Sequence, residues 1–190
     1  MAEPHIFNQY RDEELLALMQ NHQQDAFDEI YKRYSGKIWS YFYRMLWKDD
    51  QLAQDCTQEL FLKIIKNATG FDTEKKFSTW MYSIAHNMCK NEYRKKSYQN
   101  EYSMQRNPSE VDKPHNFDLK KFKLALQEAV NQMDEERKAL YLLRFQDQIT
   151  VPEISQILNI PEGTVKSRLF YLAKDLKENL KAFENILTYP

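Results

Sequence analysis

The stretch TVPEISQILNIPEGTVKSRLFYLAKDL, residues 150–176, decides how this chain is read. Thr150 and Glu153 stand as a T-x-x-E capping box, opening a short helix that carries Ile154, Ile157 and Leu158. The stretch NIP, residues 159–161, breaks that helix, because Pro161 disfavours helical geometry at Ile160 yet fits the first turn of a following helix. In the second helix Val165, Leu169, Leu172, Leu176 and Leu180 recur at helical spacing, an apolar stripe that must pack on its neighbours. Two short helices joined this tightly form a helix-turn-helix candidate. Off the stripe lie Thr164, Lys166, Ser167 and Arg168, with Phe170 and Tyr171 one turn on. Recognition helices offer their first turns to base edges while basic groups hold phosphates, so these residues form a candidate duplex-DNA face. Gly163 beside them would let a neighbouring backbone come close. The bland alternative is a structural helical hairpin with a solvated basic face. The capping box, the proline break and the polar cluster weigh against it together.

Moving toward the amino end, Asp134 in DEERKALYLLRF can cap a helix holding Leu140 and Leu143. Before it, Leu119, Phe122, Leu126, Ala129, Val130 and Met133 share one helical face. Then the pattern stops. SYQNEYSMQRNPSEVDKPHNFD, residues 97–118, is polar, lacks Leu and Ile, and carries Pro108 and Pro114. Such a segment buries too little apolar surface to offset its ordering entropy, so a flexible linker is expected there.

Earlier still, four apolar stripes follow one another. They are Ala26, Phe27, Ile30, Tyr31 and Tyr34; Ile38, Trp39, Phe42 and Leu46; Leu52, Cys56, Leu60, Phe61, Ile64 and Ile65; and Trp80, Ile84, Ala85, Met88 and Cys89. No run alternates at period two, and 3 Gly with 6 Pro leave little turn chemistry for a many-stranded protein. The expected fold is all-α: two small helical domains, residues 24–96 and 119–180, joined by the linker 97–118.

Composition sets limits on function. A net charge of −1 creates no overall basic field, so a nucleic-acid partner must be met by local patches. The first residues, MAEPHIFNQYRDEELL, lack the basic flank and apolar run of a signal peptide, and no apolar stretch is long enough to span a bilayer. Cys56 and Cys89 offer no disulfide framework, which points to a reduced, cytoplasmic protein without membrane insertion. No catalytic or cofactor-binding set is evident. His5, His22, His86 and His115 fall in unrelated contexts, and His86 with Cys89 lacks the further ligands of a zinc site.

Three motifs in order now carry a resemblance. IPEGTVKSRL resembles the second helix of the carboxyl-terminal domain of sigma-70-family factors, especially the small extracytoplasmic-function group. DDQLAQDCTQELFLKI resembles the family's D-A-E-D-x-x-Q-E-x-F helix, and FSTWMYSIAHNMCKNEYRKK its F-x-T-W-L-x-x-I-A-R-N-x-x-x-D-x-x-R-K helix. Together they cover most of residues 24–180. The resemblance implies a non-enzymatic, dissociable subunit that directs core RNA polymerase to promoter DNA and starts transcription. It is monomeric when free and open to restraint by an anti-sigma protein.

The resemblance also assigns faces. The first of these two helices holds Asp49, Asp50, Asp55 and Glu59 against Lys48, and its Asp55, Gln58 and Glu59 would dock on core polymerase. Acidic side chains do not favour DNA, so a protein partner suits them. The next helix is opposite in sign, with Lys76, Lys90, Arg94, Lys95 and Lys96 against Glu92. It and the loop before it would recognise the melted −10 element through Phe71, Phe77, Trp80, Asn87, Lys90, Asn91 and Arg94. Aromatic stacking and a basic groove suit unpaired bases there. Trp80 also lies on an apolar stripe, so core packing competes for it. Thr164, Lys166, Ser167, Arg168, Phe170 and Tyr171 would read the duplex −35 element.

Departures from the family pattern matter. His86 stands where an arginine is usual, Asn91 where an aspartate is, and Phe170-Tyr171-Leu172-Ala173 replaces a frequent H-R-A-R. The bases read therefore do not transfer. The rival reading is a stand-alone helix-turn-helix regulator whose first domain senses a ligand, and which would bind duplex DNA without polymerase, usually as a dimer. A third is a module that sequesters another regulator, needing neither polymerase nor promoter.

Overall fold

The computed structural model describes residues 7–21, 23–100 and 117–183. Among them every regular element is helical. The order is α1 (Asp12–Gln20), α2 (Gln24–Met45), α3 (Asp50–Asn67), α4 (Phe77–Asn100), α5 (Phe117–Asn131), α6 (Glu135–Tyr141), α7 (Val151–Leu158) and α8 (Glu162–Asn179). The chain forms two compact units, with the main division between Ser97 and Tyr98. Helix α4 runs four residues past the expected domain end at residue 96, and α5 already includes Phe117 and Asp118. The remainder of the expected linker lies outside the described residues.

In the first unit, α2 carries two of the expected stripes on one long helix, with Ala26, Ile30, Ile38, Phe42 and Met45 buried. Asp49 caps α3, its carboxylate accepting the Leu52 N–H at 3.0 Å. Three stripe assignments are corrected by burial. Ile65 and Tyr31 are 46% and 44% exposed, and Trp39 is half-buried, stacked on Tyr43 with ring centres 5.1 Å apart. The register of α4 is also shifted. Its fully buried line is Phe77, Met81, Ala85 and Cys89, rather than one led by Trp80.

The first unit also begins earlier than residue 24. Helix α1 buries Leu15 and Leu16 completely. Asp12 at its start pairs with Arg33 at 2.8 Å and accepts from the Tyr34 hydroxyl. Arg33 further donates to Glu29 at 2.8 Å and to the backbone oxygens of Phe7 and Tyr10 at 3.0 and 2.9 Å. Burial works against the Arg33 charge, yet Glu29 and Asp12 more than offset it and raise its pKa. Burial, then the bond to Asp12, raises the Tyr34 hydroxyl well above its ordinary value. This polar cluster fastens α1 to α2.

The second unit is assembled more simply. Asp134 caps α6 as expected, accepting the Arg137 N–H at 2.9 Å. A π-helical segment, Leu142–Gln146, extends α6 and closes with Gln148 at φ 56°. Helix α8 lays Val165, Leu172 and Leu176 inward. Two ion pairs tie it to α6: Arg137 to Asp175 at 2.5 Å and Arg168 to Glu136 at 2.6 Å.

The corner between α7 and α8 differs in detail from its sequence reading. Glu153 accepts both the Thr150 N–H at 2.8 Å and its hydroxyl at 2.6 Å, so the side-chain hydroxyl serves the carboxylate. Asn159 ends α7 by entering the left-handed region at φ 54°. The N–H groups of Asn159 and Ile160 then return to Gln156 and Ser155, the paired bonds of a Schellman ending. Pro161 follows as the N-cap of α8 rather than its first-turn residue.

Candidate nucleic-acid interface

Helix α3 presents a coherent outer face. Asp55, Gln58 and Glu59 are all exposed. Asp55 accepts from the Gln51 amide at 3.1 Å, and Glu59 pairs with Lys63 at 2.9 Å, so both carboxylates stay in solvent on ordinary helical partners. The face continues into Leu62, 57% exposed, and Ile65. Acid followed by bare aliphatic surface suits a protein partner better than solvent alone. The apolar half was missed in sequence because Ile65 also fits the helical period of the core stripe.

Helix α4 gathers the expected polar stripe. Asn87, Lys90, Asn91 and Arg94 are exposed on neighbouring turns, while Lys95 is drawn aside to Glu92. Trp80 and Ile84 continue the same line toward the helix start, both half-buried. They form one wall of an open groove of about 430 Å³ whose other wall is Lys66, Asn67, Thr69 and Gly70. Groove and stripe together provide a flat ring, amides and cations along one track.

Two members of the expected set do not join it. Phe77 is 0% exposed and Phe71 only 8%, so neither ring can stack on a base. Phe77 instead meets Tyr34 edge-on at 5.4 Å, and Phe71 packs on Trp80 at 4.9 Å. Their rings support the groove from beneath. His86 is corrected in the same sense. It is buried, with Nδ1 3.5 Å from the Tyr41 hydroxyl, so its replacement of an arginine removes no charge from the outer stripe.

On α8, Lys166, Ser167 and Phe170 share an outward face with Tyr171 at its edge. Phe170 and Tyr171 are 66% and 62% exposed and meet each other edge-on at 5.5 Å. Thr164 is half-buried, its carbonyl accepting from Ser167 at 3.1 Å. Arg168 lies off this face, turned to Glu136 on α6. Added bulk at Gly163 would meet nothing within 4 Å, so no backbone of this chain uses the room it leaves. Among the described residues no cluster of His, Cys, Asp and Glu could hold a metal, and no helix is long and apolar enough to cross a membrane.

Comparison with known proteins places this geometry. Residues 30–98 match the family model for sigma-70 region 2, and residues 123–171 that for sigma-70 region 4. The chain belongs to the sigma-70 family. Within that family it falls among the extracytoplasmic-function (ECF) RNA polymerase sigma factors. It is 30% identical to the ECF sigma factor SigW of Bacillus subtilis, covering 83% of this chain and 90% of that protein. It is 28% identical to the ECF sigma-E factor of Haemophilus influenzae, covering 90% and 95%. The fold is shared with CnrH, solved with the cytosolic domain of CnrY, at TM-score 0.68 and 19% identity over 90% of this chain and 97% of that one. It is shared too with RpoE of Bartonella quintana, solved with the anti-sigma factor NepR, at TM-score 0.64 and 17% identity over 82% and 96%.

Proposed function

We propose that the chain serves as a dissociable promoter-specificity subunit of RNA polymerase, with its three outer faces doing separate work. The α3 face, Asp55, Gln58, Glu59, Leu62 and Ile65, docks on core polymerase. The α4 stripe and the groove at Trp80 hold the unpaired −10 strand, with Asn87, Asn91, Lys90 and Arg94 along its backbone and bases. Lys166, Ser167, Phe170 and Tyr171 meet the duplex −35 element, Arg168 reaching phosphate once it leaves Glu136. The chain performs no catalysis itself, acts in the cytoplasm and is a monomer when free. An anti-sigma protein is the partner that would restrain it.

The observation that carries this reading is the pairing of opposite surfaces on one unit. An acid-and-apolar face on α3 and a cationic, amide-rich track on α4 suit a protein and a nucleic acid in turn. A stand-alone regulator would have no use for the first. Reconstituted transcription with core polymerase tests it: the chain should confer promoter-dependent starts on a core that has none. Tight duplex binding by the free chain, with no effect on core, would return the reading to a conventional regulator.

A further inference from the structure

Helix α1 precedes the residues matched by either family model, which begin at 30. Its contacts nonetheless converge on one place. The Gln20 side-chain amide donates to the Ala68 carbonyl at 2.8 Å. That carbonyl belongs to the short turn Ala68–Gly70, whose Thr69 and Gly70 line one wall of the groove. From the other end of α1, the Glu13 carboxylate accepts the Phe77 backbone N–H at 2.9 Å. That N–H opens α4, one turn ahead of Trp80 in the opposite wall.

One short helix thus holds both walls from behind. A carboxylate on a free N–H at a helix start is charge-assisted and favoured by the helix dipole, so it fixes where α4 begins. The Gln20 bond fixes the turn that ends α3. Between them Phe71, Phe77 and Trp80 fill the space ring against ring, with centroids 4.9 to 6.3 Å apart. The start of α1, which carries Glu13, cannot drift, because Asp12 beside it is fastened to Arg33 and Tyr34 on α2.

We infer that α1 is a positioning element for the strand-capturing groove, with Glu13 and Gln20 setting the separation of its two walls. This rests on the proposed role of the groove in holding unpaired −10 bases. Neither residue touches DNA; each acts through the backbone it holds. Capture of an unstacked base requires a preformed slot, since a slot that must first be ordered charges that cost to binding.

The test uses the full chain with Glu13→Ala, Gln20→Ala, their double variant and Glu13→Gln, which keeps an acceptor oxygen. Hydrogen exchange is followed over residues 66–80. Strand opening is followed by permanganate reactivity of thymines, using core polymerase and duplex fragments that the unaltered holoenzyme selects from random-sequence DNA. The double variant should bind core as the parent does, exchange faster over 66–80, and open the selected fragments about tenfold less. Glu13→Gln should recover most of the opening, whereas Glu13→Met, which keeps the bulk but has no acceptor for the Phe77 N–H, should not. Unchanged exchange over 66–80 would remove the brace, and faster exchange with undiminished opening would remove its functional role. Loss of core binding in step with opening would reduce the effect to general destabilisation. Should the double variant fail to fold, Gln20→Ala alone decides by the same two readouts. If the unaltered chain opens no fragment with core, the proposed function falls, while hydrogen exchange still decides whether α1 holds the groove.

Discussion

The aromatic side chains expected to meet DNA have opposite fates in the two units. In the first, Phe71 and Phe77 sink beneath the groove and only Trp80 reaches its wall. In the second, Phe170 and Tyr171 stand out from α8 into solvent. The bracing differs in the same way. The first unit uses polar bonds between distant segments, such as Glu13 to Phe77 and the Tyr93 hydroxyl to the Met45 carbonyl at 2.5 Å. The second holds α8 by an apolar stripe and two ion pairs to α6. A groove between a turn and a helix start needs its backbone fixed at several points. A single rigid helix laid on duplex DNA needs only to be packed.

The largest effect should separate the two kinds of phenylalanine. Phe77→Ala should cost about 3–5 kcal/mol of stability in the first unit, because a fully buried ring leaves a cavity. Phe170→Ala should stay within about 0.5 kcal/mol and weaken only duplex binding. Chemical denaturation alongside fluorescence anisotropy on duplex DNA measures both. Equal destabilisation by the two would erase the distinction.

A smaller contrast lies within the first unit. Asp55→Lys with Glu59→Lys should weaken association with core polymerase by about 2 kcal/mol, since like charge meets a surface matched to acid. Lys90→Ala with Arg94→Ala should leave core association near normal and reduce strand opening, most at low salt and less as salt rises, because fewer phosphate contacts mean a shallower salt dependence. Pull-down with core enzyme beside permanganate mapping reads the pair. If the acidic reversal binds normally while the basic variant does not bind, the two roles are exchanged.

Alkaline stability should also divide the units. Burial, then the neighbouring Glu92 and Glu59 carboxylates, pushes the Cys56 thiol from its ordinary 9.0 to about 11. The fold therefore favours the neutral thiol. Its contribution is full below pH 9.0 and is lost as pH rises through about 11. Urea denaturation of the parent should decline over this window more steeply than that of Cys56→Ala. The second unit contains neither cysteine and should show no such difference.

The smallest effect concerns Arg168. Its pair with Glu136 is solvent-exposed on both sides, and such bridges contribute about 0–1 kcal/mol. Glu136→Gln should hardly change stability but tighten duplex binding, by freeing Arg168 and removing a charge that repels phosphate. Weaker binding would show instead that Glu136 orients the arginine.

The helical architecture and the outer stripes were legible because exposed polar residues at intervals of three and four leave a periodic trace. Asn87, Asn91 and Arg94 lie together in the fold as their spacing requires. Phe77 was misplaced because the apolar line of α4 was started at Trp80; the sequence Phe77, Met81, Ala85 and Cys89 carried the true register. Ile65 was misplaced for the opposite reason, since period alone cannot tell a bare aliphatic face from a core. The break after α7 is legible as the stretch 159–161, but the share of Asn159 in it depends on a left-handed backbone that a neighbouring proline does not reveal. The role of α1 was beyond pattern, because a bond from Glu13 to Phe77 spans 64 residues and leaves no local signature.

The corner between α2 and α3 has a mechanical consequence. Trp47 and Lys48 both sit in the left-handed region, at φ 57° and 62°, where bulky residues are rarely found. The Trp47 ring is held edge-on by Tyr93 at 4.9 Å and capped by the Lys96 ammonium at 3.6 Å, both from α4. Such a strained bend persists only where its surroundings enforce it. Here the enforcing groups link the start of α3 to the far end of α4. The bend is therefore a locked elbow instead of a hinge, and it ties the direction of α3 to the end of α4.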